Sequence, residues 1–149
     1  MCTLFVAWKQ HPRFPLLVAA NRDENLQRPA SGPRLWPGAQ PFVAPVDEQA
    51  GGSWVGLNAR RVFCAITNRY LTTRYPERRS RGEIVTEVLR LPSADAIWKR
   101  MQRLDPRSYN AFHLLYADAD RAFVSWTDGE KITHEELVQV MKLVCFVRL

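Results

Sequence analysis

Three cysteines and three histidines are all that this 149-residue chain offers a metal or a disulfide framework. Cys2, Cys64 and Cys145 are odd in number and share no CxxC spacing, and His11, His113 and His134 are scattered. That pattern argues against a structural zinc site and a disulfide scaffold, and fits a reducing compartment. No stretch approaches the ~18 uninterrupted apolar residues of a spanning helix, so no stable membrane insertion is expected. The N-terminus lacks a basic region followed by an apolar one, so no secretory signal is expected either, and the expected location is cytoplasmic. Residues 2–22 carry Lys9, Arg13 and Arg22 and no acid, but their apolar alternation and prolines are unlike an amphipathic transit helix. Neither GxGxxG nor GxxxxGK[ST] occurs, and no cofactor is expected.

What is present is ordinary for a globular chain: 46% hydrophobic and 24% charged residues, in a length that suits a single domain over 1–149. The net charge of +6 favours anionic partners without identifying one. "CTLFVAW" (2–8) and "LLVAANRDE" (16–24) are strand-forming runs separated by the proline-containing "KQHPRFP", and read as a β-hairpin. The proline-rich segment 27–41 reads as a long loop, and "FVAPVD" (42–47) as a short edge strand. "AGGSWVGLN" and "VFCAITN" predict a second hairpin, ending at Asn68. Ser80 with Glu83 forms a capping box that opens a helix over about 81–91, and Ser93 opens another near 94–104. "YNAFHLLYAD" and "RAFVSW" predict a further hairpin, and "THEELVQVMKLV" (133–144) a last helix capped by Thr133. Segregated strands and helices make an α+β layered domain.

The chemistry begins at Cys2. Removal of Met1 would leave a thiol and a free α-amine on one residue, and the amine can serve as the base that a cysteine nucleophile needs. Antiparallel pairing brings the start of the first strand to the end of the second, where Arg22, Asp23 and Glu24 stand. An arginine favours the thiolate, a carboxylate orients the amine, and Asn68 can donate to the oxyanion of a tetrahedral intermediate. Each of these residues also has an ordinary role: Cys2 as the start of a strand, Asn21–Glu24 as a turn with solvated charges, Asn68 as a cap. Cys64 and Cys145, in apolar runs, read as core. The basic loop 69–81, with Tyr70 and Tyr75, has no nucleic-acid-binding motif and reads as a solvated connection, so no nucleic acid is expected.

The ordered set "MCTLFVAW", "FPLLVAANRDE", "RPA", "AGGSWVGLN", "AITN" and "SRGEIV" resembles the NRDE family, also called the transport and Golgi organisation 2 family. The resemblance covers about residues 1–126. It implies an N-terminal-nucleophile-hydrolase-like fold, a four-layer αββα sandwich, and invites comparison with cysteine amidohydrolases such as penicillin V acylases. By that comparison Cys2 is the nucleophile, Arg22 the arginine and Asn68 the oxyanion asparagine. Those hydrolases place an acid three residues after the arginine, where this chain has Asn25, so Asp23 or Glu24 takes that role. The implied activity is hydrolysis of the carbon–nitrogen bond of a small-molecule amide. The other implication is a non-enzymatic carrier of haem or a lipid-like anion, since eukaryotic members are linked to secretory organisation and haem trafficking. The segment 127–149 does not look like the family, so a divergent or truncated tail and a sandwich incomplete at its C-terminus are expected.

Overall fold

The computed structural model describes residues 3–69 and 74–145, the stretch Val140–Cys145 by backbone alone. Cys2 therefore lies outside the described residues, as does the side chain of Cys145. The chain runs through β1 (Thr3–Trp8), β2 (Leu16–Asn21), β3 (Ala30–Trp36), β4 (Phe42–Asp47), β5 (Val55–Asn58) and β6 (Phe63–Asn68). Two helices follow, α1 (Arg81–Val88) and α2 (Ala94–Met101), then a 3-10 turn at Pro106–Ser108. It closes with β7 (Phe112–Ala117), β8 (Ala122–Thr127), β9 (Ile132–Glu136) and β10 (Val140–Cys145).

The strands form two antiparallel sheets. One has seven strands in the order β3-β4-β5-β6-β7-β8-β9, and the other three in the order β10-β1-β2. Period-2 alternation sorts the side chains of the large sheet between two cores. Cys64 and Ile66 of β6, Leu114 and Tyr116 of β7 and Phe123 of β8 face Ile84, Val85 and Val88 of α1 and Ile97 and Met101 of α2. Their neighbours Ala65, Leu115, Ala117 and Val124 face Leu4, Val6 and Trp8 of the small sheet. Each fully buried large side chain contributes roughly 1.5–3 kcal/mol. The described residues thus stack as helices, large sheet and small sheet, an α+β arrangement. On the small sheet's outer face Phe5 and Leu17 are exposed.

The helix signals hold. Ser80 Oγ accepts from Gly82 N at 3.3 Å, and Ser93 Oγ from Ala96 N at 3.1 Å. Both helices end before the predicted limits, α1 at Val88 and α2 at Met101. Three expectations are corrected. The segment 27–41 is not all loop, because β3 lies inside it as an edge strand. Its register shifts between Ser31 and Arg34, so Pro33 sits at an irregularity where no ladder hydrogen bond is required. That strand takes the edge position, and β4 lies between β3 and β5. The last predicted helix is two strands. β9 pairs with β8, Ser125 opposite His134, and β10 pairs with β1, Thr3 opposite Cys145. Gln139, at φ 39°, makes the turn between them. Open edges on β8 and β1 reward extended pairing for a stretch whose apolar residues satisfy either period.

Candidate active site

The predicted β1–β2 hairpin forms with Thr3 opposite Asn21, so Arg22 leaves the sheet at the end where β1 begins. Its guanidinium lies over the indole of Trp54, 4.3 Å from the ring centroid. A stacked cation of this kind gains about 0.5–2 kcal/mol and is held in one orientation. Trp54 is fixed by its own backbone, whose carbonyl accepts from Ile66 N at 2.8 Å. Two glycines let this segment approach α1. A Cβ on Gly52 would lie 2.5 Å from the Gly82 carbonyl carbon, and Ser53 N donates to Gly82 O at 3.2 Å.

These contacts surround a cavity of about 270 Å³ lined by Arg22, Glu24, Trp54, Ile66 and Asn68. Three of the residues predicted for the site, two just after β2 and one at the end of β6, share this wall. Asp23 is not part of the lining, and its Oδ1 accepts from Asn21 Nδ2 at 2.6 Å. Glu24 reaches toward Arg28, with Oε2 3.8 Å from Nη1. Arg28 is anchored more firmly by Asp47, through Nε at 2.9 Å and Nη2 at 2.7 Å on the same oxygen. Burial pushes the Asp47 carboxyl up. The Arg28 hydrogen bond and charge, with the N–H groups of Ala50 and Gln49, outweigh that and hold it below the usual carboxylate range.

The basic loop contributes more than the sequence suggested. Arg74, Arg78, Arg79 and Arg81 also line the cavity, so this is not simply a solvated connection. Arg78 stacks on Tyr75, 4.0 Å from the ring centroid, and its Nη1 donates to the carbonyls of Tyr109 and Gly129. Arg79 is paired with Glu83 at 2.7 Å, and Arg81 Nη1 donates to Ala111 O at 3.0 Å. Among the described residues neither Arg22 nor Arg74 has a carboxylate partner. The cavity wall is therefore strongly cationic. The sequence signal was the density of arginine between Arg69 and Arg81. What it lacked was the fold that turns this loop toward Arg22.

A second cavity, of about 240 Å³, shares Arg22, Trp54 and Ile66 with the first. Its remaining walls are Thr3, Leu4, Ala20, Asn21, Val55, Ala65 and Thr67, between the two sheets. Thr3 follows Cys2 in the chain, so this chamber adjoins the predicted nucleophile's neighbour. Elsewhere, Cys64 is fully buried, and burial pushes its thiol far up, as its reading as core requires. Among the described residues no His, Cys, Asp and Glu side chains cluster as metal ligands do. No helix among them is long and apolar enough to cross a membrane.

The family model for Transport and Golgi organisation 2 matches residues 1–145. A human relative, "Transport and Golgi organization protein 2 homolog", is 30% identical over 130 residues, 82% of this chain and 47% of its own length. A bovine relative of the same name is 31% identical over 126 residues, covering 79% of this chain and 45% of its own. The chain thus spans about half the length of these relatives. Among solved structures, penicillin V acylase from Agrobacterium tumefaciens aligns with a TM-score of 0.56 at 14% identity, over 91% of this chain and 49% of its own. At that identity the likeness is one of fold, that of an N-terminal-nucleophile hydrolase.

Proposed function

The chain belongs to the Transport and Golgi organisation 2 family, and on that premise we propose that it is an N-terminal cysteine hydrolase of a carbon–nitrogen amide bond. Cys2, freed of Met1, supplies the nucleophile, and its α-amine the base. The thiolate attacks the amide carbonyl carbon. Asn68 donates to the oxyanion that forms, and Arg22, oriented by Trp54, favours the thiolate. The carbon–nitrogen bond breaks, the amine departs with the proton held by the α-ammonium, and water hydrolyses the acyl thioester to a carboxylic acid. Glu24 rather than Asp23 is the acid of this reading, because Glu24 lines the cavity. The four-layer sandwich, incomplete at its C-terminus, belongs to the same reading: both described helices pack on the large sheet, and a second helical layer would cover the face that carries Phe5 and Leu17.

The observation that carries the proposal is the meeting of Arg22, Glu24 and Asn68 around one cavity at the end of the sheet where β1 begins. Its test is hydrolysis of a panel of N-acyl amides by the wild type and by Cys2→Ala, Cys2→Ser and Asn68→Ala. The expected result is no turnover in Cys2→Ala and a fall of about 10²–10³ in kcat for Asn68→Ala. Undiminished turnover in Cys2→Ala overturns it.

One observation favours a second reading. Arg22 and Arg74, without carboxylate partners among the described residues, suit a bound anion, so the cavity would hold haem or a lipid-like ligand without turnover. Equal haem titration by wild type and Cys2→Ala, with no hydrolysis of any amide, selects that reading.

A further inference from the structure

We propose that the open side of β2 is a docking edge for an extended strand of another polypeptide. That strand is apolar at alternate positions, and acidic at the end that lies over the turns carrying Arg13, Arg60 and Arg61.

The described sheets end in four edge strands, β3 and β9 on the large one, β10 and β2 on the small one. Three of them carry features that discourage pairing with another chain. β3 has Pro33, Arg34 and a shifted register. β9 has Glu135 and Glu136, and β10 has Lys142. β2 has none of these. Its sequence is LLVAAN, without proline, glycine or charge, and its register on β1 is unbroken from Leu16 to Asn21. In an antiparallel pair every second residue directs its N–H and C=O away from the bonded neighbour. Among the described residues no other strand pairs with that side of β2. The group that satisfies such an edge is an extended main chain.

A second observation points to the same place. Leu35, Val43, Leu57 and Phe63 are successive cross-strand partners on β3, β4, β5 and β6, so they share one face of the large sheet. Phe63 packs against the small sheet's core, which puts this face on the small sheet's side. Leu16 and Val18 of β2 join that core with Val55 and Phe63, so β2 runs over β5 and β6. Beyond β2 the face is bare: Leu57 is 48%, Val43 46% and Leu35 64% exposed. A strand added to β2 falls over this row, and its inward side chains cover it.

Charge gives the strand a direction. Ala20 and Val55 line the chamber between the sheets, so the turns after β1 and β5 lie at the opposite end of their strands. Residues 9–15 and 59–62 contain Lys9, Arg13, Arg60 and Arg61 and no carboxylate. Lys9 Nζ donates to the Asp120 carbonyl, whereas Arg13, Arg60 and Arg61 are exposed. A strand antiparallel to β2 ends over these turns, so its acidic residues belong at its C-terminal end.

The probe is fluorescein-labelled Thr-Val-Thr-Val-Thr-Val-Glu-Glu-amide, and its binding to the full chain is read by fluorescence anisotropy. Saturable binding is expected, with the reversed sequence about 5–10-fold weaker. Methylating every second backbone nitrogen should abolish binding in one phase, where the N–H groups face β2, and leave it unchanged in the other. Val43→Ser combined with Leu57→Ser should weaken binding about 5–10-fold. Arg13→Ala combined with Arg60→Ala should weaken it several-fold at low salt and flatten its salt dependence. All four positions are exposed, so the Tm of both variants should match that of the wild type. The methylated pair tests the edge without altering the protein.

Absence of saturable binding, equal loss in both methylation phases, or full affinity in the double serine variant would overturn the inference. A wild type that sediments as a dimer and takes up no peptide assigns the edge to a second copy of the chain, and overturns it as well.

Discussion

At the scale of single residues, the site separates two carboxylates that the sequence left equivalent. Asp23 and Glu24 are adjacent, and nothing in their spacing from Arg22 chooses between them. In the proposed reading the acid is Glu24, because it lines the cavity near Arg28, whereas Asp23 is not in that lining and accepts from Asn21. Glu24→Gln should therefore lower kcat/KM for an N-acyl amide at least ten times more than Asp23→Asn, as steady-state kinetics of the two variants will show. Arg22 and Asn68 were legible as residue types at strand ends. The places of Trp54 and Arg74 in the cavity wall were not, because a single sequence does not record what a side chain faces.

Another residue-scale feature lies away from the cavity. Tyr116 Oη, Ser125 Oγ and His134 Nδ1 form a chain of hydrogen bonds at 2.9 and 2.8 Å. Burial lowers the His134 pKa, so the folded state disfavours the imidazolium. The sign follows from linkage: the unfolded chain binds the proton more readily, so the contribution is present above ~6.5 and is lost as pH falls below it toward the folded value. Tm should decline as pH is lowered from 7.5 to about 5. The decline across this interval should be shallower in His134→Gln, measured by thermal unfolding at matched ionic strength.

At the scale of elements, the contact between the segment before β5 and the start of α1 sets the shape of the site. Gly52 and Gly82 meet backbone to backbone, and any Cβ at Gly52 falls within 3 Å of the Gly82 main chain. Gly52→Ala should cost about 1–3 kcal/mol by overpacking. In a domain of this size that lowers Tm by about 3–10 °C, readable by calorimetry. Gly51–Gly52 reads in the sequence as permissive backbone before a strand, but the partner of Gly52 thirty residues later, Gly82, does not. The same limit explains the elements misread. Strand β3 hides among prolines because an edge strand with an irregular register tolerates them. Strands β9 and β10 hide in a helical pattern because pairing with β8, the strand just before, and with β1, at the other end of the chain, outweighs local propensity. The capped helices and the β1–β2 hairpin were legible because their signals are local.

At the scale of the whole molecule, the net charge of +6 is not spread evenly. Arg22, Arg28, Arg74, Arg78, Arg79 and Arg81 gather on one cavity, with Glu24 and Asp47 as its carboxylates. The Debye length falls from ~10 Å at 0.1 M salt to ~3 Å at 1 M, so attraction of an anionic ligand should weaken over that range. The kcat/KM for an anionic N-acyl amide should fall several-fold between those concentrations, while that of a neutral analogue stays constant. The layers themselves supply the geometry: helices, large sheet and small sheet place the ends of β2 and β6, with Thr3 at the start of β1, around the two adjoining cavities.

The central claim is that this pair of cavities is built for an N-terminal cysteine nucleophile. It is tested most directly by the intact mass of the protein after incubation with a β-lactam electrophile. The prediction is a chain that lacks Met1 and carries a single acyl group, with the adduct absent from Cys2→Ala. A chain that retains Met1, or one that stays unmodified, would contradict it.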